Sequence, residues 1–408
     1  MRRWWWKYRT LLVFADQGLV SGTNFLMAIV LTRKIGIESF GEFSIIWMTN
    51  FVLFSFQQSF ISQTIYSQYA EKMNKPFYLG QQKIIALFVA SLSMLVAFVV
   101  FLIVFQSERI ELAVGGSLFI FLYQIQDFDR RIGFVSKSEI KVFFRDAVAY
   151  GLQVPLILLL SYQDVLTITS AVYVLVLTYG LSVLMGMARY PVRIAEIKRK
   201  RIWKLAKQNW AFSKYLVGTS FLQWFSGNAF GLMAGLWLGV SALGVVRMMQ
   251  NLMGVLHVLF LALENIVPIS MAKQMSVGGL KLLKKETRIL SLKALIPVST
   301  IILFFVFADQ EVLSWVYGQE MISYGTLFSA FAIMYFLVYA GTILRFYIRT
   351  IEQNRLIFHS YAISSAVSLL LAYPLIHELG LAGVIIGFYS TQVIGLTYFL
   401  GKLKLHKR

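Results

Sequence analysis

Residues 35–41 read IGIESFG and residues 238–244 read LGVSALG. Each motif has glycines five positions apart, at 36 and 41 and at 239 and 244, and the two motifs are offset by 203 residues in a chain of 408. Each follows one apolar run and precedes another. Glycine takes positive φ without steric cost, so the minimum reading of each motif is a tight turn between two helices. Their matched placement predicts more, an internal duplication. The chain would then fold as two six-helix halves of the same orientation, related by an axis along the membrane normal. In such architectures the binding site lies at the repeat interface.

The composition around these motifs is that of a membrane protein. Hydrophobic residues make up 58% of the chain, charged residues only 14%, and the mean hydropathy is +0.70. A soluble domain carries about 25% charged residues. The apolar residues come in blocks near the roughly 20 needed to cross hydrocarbon as a helix. The predicted spans are 11–31, 43–65, 84–105, 110–127, 145–161, 166–188, 215–238, 245–268, 289–308, 321–343, 356–375 and 380–400. The expected fold is therefore an all-α integral membrane protein of about twelve transmembrane helices, in two parallel six-helix lobes around a central cavity. The domains are an N-terminal lobe over 1–188, a basic amphipathic linker over 189–214 and a C-terminal lobe over 215–408.

The charge distribution tests this topology. With both termini cytoplasmic, 34 of the 38 Lys and Arg fall in predicted cytoplasmic segments, and only Arg33, Lys34, Arg109 and Arg247 fall outside. That is the positive-inside pattern. The net charge of +19 is thus topological, with membrane lipid rather than nucleic acid as its partner. The basic start MRRWWWKYRT precedes an apolar run too long for a cleaved leader and reads as a retained first helix. In the linker, Ile194, Ile197, Ile202, Leu205 and Trp210 fall roughly on one face among nine basic residues, which predicts an interfacial amphipathic helix. There is no cysteine, which excludes disulfides and thiolate metal sites. No metalloprotease, nucleophile-elbow or P-loop pattern occurs, and no long outer loop is present of the kind a polymerase or ligase would need.

The stretch LTRKIGIESFGEFSII (31–46), its second-half counterpart LWLGVSALGVV (236–246), and LENIVPISMAK (263–273), LSWVYGQEM (313–321) and HELGLAGVIIGF (377–388) together resemble the multidrug/oligosaccharidyl-lipid/polysaccharide exporter superfamily. Within it they resemble the Wzx-type O-antigen and polysaccharide flippases. Ile37 stands where the first motif usually has proline. The resemblance implies a monomeric, non-enzymatic MATE-like transporter of the bacterial inner membrane that works by alternating access. Its substrate would be an undecaprenyl-diphosphate-linked oligosaccharide, an O-antigen or lipopolysaccharide-type repeat unit, moved from the cytoplasmic to the periplasmic leaflet. A polysaccharide polymerase and a chain-length regulator would be its neighbours. A cation-coupled multidrug exporter of the same fold is the alternative, with a membrane-embedded glycan-modifying enzyme behind it. For that enzyme the nearest carboxylate cluster is QIQDFDRR (124–131), read more simply as interfacial partners of Arg130 and Arg131.

Moving a sugar diphosphate through hydrocarbon requires a polar path, because each unsatisfied polar group there costs about 4–8 kcal/mol, and cations for the diphosphate. Ionisable and amide residues inside spans are the candidates. They are Asp16, Asn24 and Arg33 in and after the first span, Gln57 and Gln63 in the second, Gln223 in the seventh, and Arg247, Gln250 and Asn251 opening the eighth. For Asp16, a cavity face shared with Asn24 stands against pairing with the basic N-terminus. For Arg247, the cavity stands against snorkelling to outer headgroups. Asp16 and Glu264 are the candidates for H+ or Na+ coupling; no other cofactor or metal is expected. His257 reads as a satisfied polar residue more readily than as a switch.

Overall fold

A computed structural model describes residues 2–105, 109–187 and 198–405. Among the described residues there are helices and no strands. Inside lipid a backbone must satisfy its own polar groups, and a helix does so within one segment. In order, the helices are α1 (Arg2–Gln57), a π-helical turn (Gln58–Ser62), α2 (Gln63–Gln68), a short 3-10 turn (Tyr69–Glu71), α3 (Lys75–Phe105), α4 (Ile110–Val135), α5 (Glu139–Ala149), α6 (Gln153–Tyr162) and α7 (Ile168–Met187). Then come α8 (Arg199–Trp237), α9 (Val240–Leu252), α10 (Gly254–Phe307), α11 (Asp309–Tyr317), a 3-10 turn (Gln319–Tyr324), α12 (Gly325–Thr350) and α13 (Asn354–Leu405).

Three of these are two rods joined at a glycine break: α1 at Gly36, α10 at Gly278–Gly279 and α13 at Gly380. With α5 and α6 taken as one rod, and α9 with the first limb of α10 as another, the described residues form the twelve rods expected. The connection at Gly36 has φ 83° and ψ 168°, and that at Gly239 has φ 95° and ψ 166°. The two motifs thus share one backbone conformation, in a region open almost only to glycine. Both second glycines, Gly41 and Gly244, are buried.

Two rods depart from the sequence expectation. The fourth was expected to end at 127, but α4 continues to Val135. Its charged end does not become a loop, because those charges are met inside the protein, as described below. The fifth breaks between α5 and α6 at Tyr150–Leu152. Pro155 falls in the first turn of α6, where its missing N–H leaves no intrahelical bond unmade.

The chain forms two compact units, Met1–Phe221 and Leu222–Arg408. In the first unit, α4 packs against α3 and α7. Trp47, Phe119, Tyr123, Tyr179 and Tyr150 make a chain of edge and tilted ring contacts with centroids 5.1–5.8 Å apart. In the second unit, α12 packs in the same way against α10 and α13. Two hydroxyl bonds pin it there, from Tyr339 to the Ser291 carbonyl at 2.5 Å and from Tyr389 to the Ala330 carbonyl at 2.8 Å. Lipid tails are as apolar as leucine, so close packing and hydroxyl bonds of this kind carry helix association.

Residues 189–197 of the expected linker, with Ile194 and Ile197, lie outside the described residues. Its remainder is the start of α8, which runs unbroken into the seventh span. The buried face is Leu205, Asn209 and Ser213, not Trp210, which is 49% exposed. Leu205 joins a cluster with Phe60, Ile61, Tyr78 and Ile85 of the first unit. Asn209 and Gln82 exchange two amide hydrogen bonds, at 2.9 and 3.2 Å. This stretch therefore packs against protein along one face.

If Gly36 and Gly239 are equivalent turns, Gly36→Ala and Gly239→Ala will each destabilise the protein by about 1–3 kcal/mol. Gly18→Ala, at a helical position with open space around the new Cβ, will be neutral or stabilising by up to ~1 kcal/mol. Thermal unfolding in detergent reads all three. Equal effects at all three sites would remove the argument for a strained turn.

Candidate functional site

Buried charge is concentrated in the first unit. Arg130 of α4 donates from Nη2 to Asp16 Oδ2 of α1 at 2.5 Å and from Nε to Asp146 Oδ2 of α5 at 2.6 Å. Gln126, one turn earlier, donates to Asp146 Oδ1 at 2.5 Å. Asp129 lies 3.3 Å from Lys83 Nζ of α3 and 3.4 Å from Arg145 Nη2 of α5. Arg145 also donates from Nε to the Ser182 carbonyl of α7 at 3.2 Å. Asp127 takes two bonds from Arg131, at 2.5 and 3.2 Å. Asp16, Asp127, Asp129, Asp146, Lys83 and Arg145 are all buried.

Four carboxylates thus face four cations across α1, α3, α4 and α5. Breaking one buried pair leaves an uncompensated charge and costs about 3–5 kcal/mol, so the cluster clamps these helices together. Its formal charges cancel, four against four. Asp16 points into this cluster. Nearby, Thr23 donates to the Tyr150 carbonyl at 3.2 Å, and Asn24 beside it is half-buried.

The second unit has the opposite character. Arg247 lies on α9, one turn beyond buried Gly244. Its Nη1 donates to Gln250 Oε1 at 2.8 Å and to Asn228 Oδ1 of α8 at 3.5 Å. Asn228 is fixed by its own bond to the Trp224 carbonyl at 2.8 Å. Among the described residues, no carboxylate lies within ion-pair distance of Arg247. Asn251 donates to the Tyr317 hydroxyl at 2.8 Å, and His257 meets the Tyr335 hydroxyl at 3.3 Å. Arg247 is half-buried and held by neutral amide oxygens alone. Its positive charge remains available to an anion, and its planar fork suits a phosphate.

The other sequence candidates are dispersed. Arg33 is exposed near the turn at Gly36, and Gln223 is exposed on α8. Gln57 is fully buried and donates to the Gln124 carbonyl at 2.8 Å, which ties α1 to α4. Gln63 is half-buried. Glu264 makes a half-exposed ion pair with Arg349 at 3.0 Å. The structure therefore gathers Arg247 and Gln250, with Asn251 on the same helix, and places Asp16 among residues the sequence reading did not select. Those are Lys83, Arg145 and Asp146, with Arg130 reaching Asp16 rather than its sequence neighbours. The available signal was the cluster of two Asp and two Arg in QIQDFDRR. Asp127 and Arg131 pair within it, but the partners of Asp129 and Arg130 lie 16 or more positions away on other helices, where periodicity does not reach.

No protein-family model matches the chain, and no curated protein matches it. Solved structures do. An inward-facing multidrug-resistance MATE family transporter of the MOP superfamily superposes with a TM-score of 0.73 at 15% identity, over 96% of this chain and 95% of that one. The lipid II flippase MurJ, in an inward closed conformation, gives 0.67 at 13% identity, over 97% and 87%. A MOP superfamily transporter from Pyrococcus furiosus, described by a reversed polarity of its binding pocket, gives 0.58 at 14% identity, over 98% and 95%. The chain has the MATE fold, and its helices are those of a multi-pass membrane protein.

The two clusters predict unequal responses. Arg130→Ala will lower unfolding stability in detergent by about 3–5 kcal/mol. Arg247→Ala, which removes bonds to neutral amides and no ion pair among the described residues, will lower it less, by about 1.5–3 kcal/mol at most. A larger loss at Arg247 than at Arg130 would mean that Arg247 is a structural residue.

Proposed function

We propose that this protein is a flippase that moves an undecaprenyl-diphosphate-linked oligosaccharide, an O-antigen or other surface-polysaccharide repeat unit, from the cytoplasmic to the periplasmic leaflet of the bacterial inner membrane by alternating access. The observation that carries the proposal is Arg247, a half-buried guanidinium held by Asn228 and Gln250 and facing no carboxylate among the described residues. A diphosphate would supply the missing negative charge in bidentate geometry. The prenyl tail can stay in hydrocarbon throughout, so only the head group needs polar surroundings. Gln250 and Asn251 would offer hydrogen bonds to head-group oxygens. Fold likeness to a lipid II flippase is compatible with a lipid-linked cargo.

Coupling belongs, on this reading, to the first unit. Asp16 and Asp146 converge on the single guanidinium of Arg130, so a proton on Asp16 would release the first limb of α1 from α4. H+ is therefore the favoured coupling ion, with Na+ as the alternative at Asp16. The protein would act as a monomer without a further cofactor, beside a polysaccharide polymerase and a chain-length regulator. A cation-coupled multidrug exporter is the second reading, favoured by likeness to a multidrug transporter. It would call for an uncompensated carboxylate where Arg247 stands.

The test is the sidedness of the lipid-linked repeat unit in cells. A deletion strain will accumulate it facing the cytoplasm, and the wild-type gene will restore export. Arg247→Ala will restore it about 10- to 100-fold less well, the loss of a charge-assisted bond worth ~1.5–3 kcal/mol, and Arg247→Lys will fall between. Normal sidedness in the deletion strain with raised drug sensitivity would shift the assignment to the exporter.

A further inference from the structure

The two limbs of α10 turn back on each other at Gly278–Gly279, where Gly279 has φ 59°. A hydrogen bond from Ser270 Oγ to Glu286 Oε1 at 2.6 Å ties them across the turn. The outward stripe of the second limb changes chemistry along its length. Lys281, Lys285 and Arg288 are exposed. On the same face follow Ile289, Leu292 and Ile296, which are 36%, 56% and 69% exposed. The change from cations to aliphatic side chains takes about one helical turn, roughly 5 Å. The first limb has the same order toward the bend, with Ile266 and Ile269 at 64% and 73% exposure followed by exposed Lys273. Glu286 is engaged with Ser270. Among the described residues, no carboxylate lies within ion-pair distance of Lys281, Lys285 or Arg288.

From this stripe we infer a docking site for one anionic phospholipid of the surrounding bilayer, with its phosphate on Lys281, Lys285 and Arg288 and an acyl chain along Leu292 and Ile296. Charge complementarity selects an anionic head group over a zwitterionic one. The direct continuation of both limbs into apolar spans keeps the stripe at the membrane surface. Lys and Arg lay their aliphatic stems on such a boundary while their charges stay in the head-group layer. The bound lipid braces the bend at Gly278–Gly279, where the backbone leaves helical geometry. The inference is independent of the cargo proposed above.

The purified, delipidated protein is titrated with phosphatidylglycerol or phosphatidylcholine, and bound lipid is counted by native mass spectrometry. The wild type will retain phosphatidylglycerol preferentially. Lys281→Gln/Lys285→Gln/Arg288→Gln will weaken that binding by about fivefold per charge removed, roughly 100-fold in all. Lys281→Arg/Lys285→Arg/Arg288→Lys will keep it. Should the neutralised variant fail to fold, thermal stabilisation of the wild type by phosphatidylglycerol micelles decides, since it must shrink from low to high salt. Equal retention of the two lipids, unchanged binding in the neutralised variant, or salt-independent stabilisation would each overturn the site.

Discussion

A charge withdrawn from water has to be met by an opposite charge or by dipoles arranged to replace its hydration. The two units of this protein answer that constraint differently. In the first, Asp16, Asp127, Asp129 and Asp146 are matched by Lys83, Arg130, Arg131 and Arg145, and the result is a closed clamp on four helices. In the second, Arg247 has dipoles from Asn228 and Gln250 and no counter-charge among the described residues. The clamp explains why α4 continues as helix past 127. The unmatched cation is the reason for proposing anion recognition by the second unit.

Backbone satisfaction imposes the other half of the architecture. Each span is a helix, and the chain reverses between spans at residues that leave helical geometry at little cost. Gly36, Gly279 and Gly380, each at positive φ, serve this role within otherwise continuous helical stretches. Gly239 does the same at the start of α9. Gly36 and Gly239 share nearly identical dihedrals, a conformation that Gly318 also adopts.

Much of the fold was legible because its signals are local. Apolar blocks located the twelve rods, and the glycines at 36 and 239 marked turns. Arg247 with Gln250 was legible as well, since three positions along a helix bring them together. The clamp was not. Asp16 and Arg130 are 114 positions apart, and Arg130 and Asp146 are 16 apart on separate helices. A segment rich in Asp and Arg reads as a solvated loop unless its distant partners are known, so 128–145 reads as a connection, whereas most of it is helix with Asp129 and Arg145 buried. Trp210 misled for a related reason. The apolar face of α8 was assigned from hydrophobic residues, whereas the buried face carries Asn209, whose amide is satisfied by Gln82.

The central claim is that Arg247 is an unneutralised cation reserved for a prenyl diphosphate. The most direct test is binding of a short-chain prenyl diphosphate to purified protein in nanodiscs, comparing wild type with Arg247→Gln and with the prenyl alcohol as control ligand. The account predicts saturable binding of the diphosphate to wild type, weakened at least about tenfold in Arg247→Gln, with no specific binding of the alcohol. Equal diphosphate affinity in wild type and variant would contradict it and return Arg247 to a structural role.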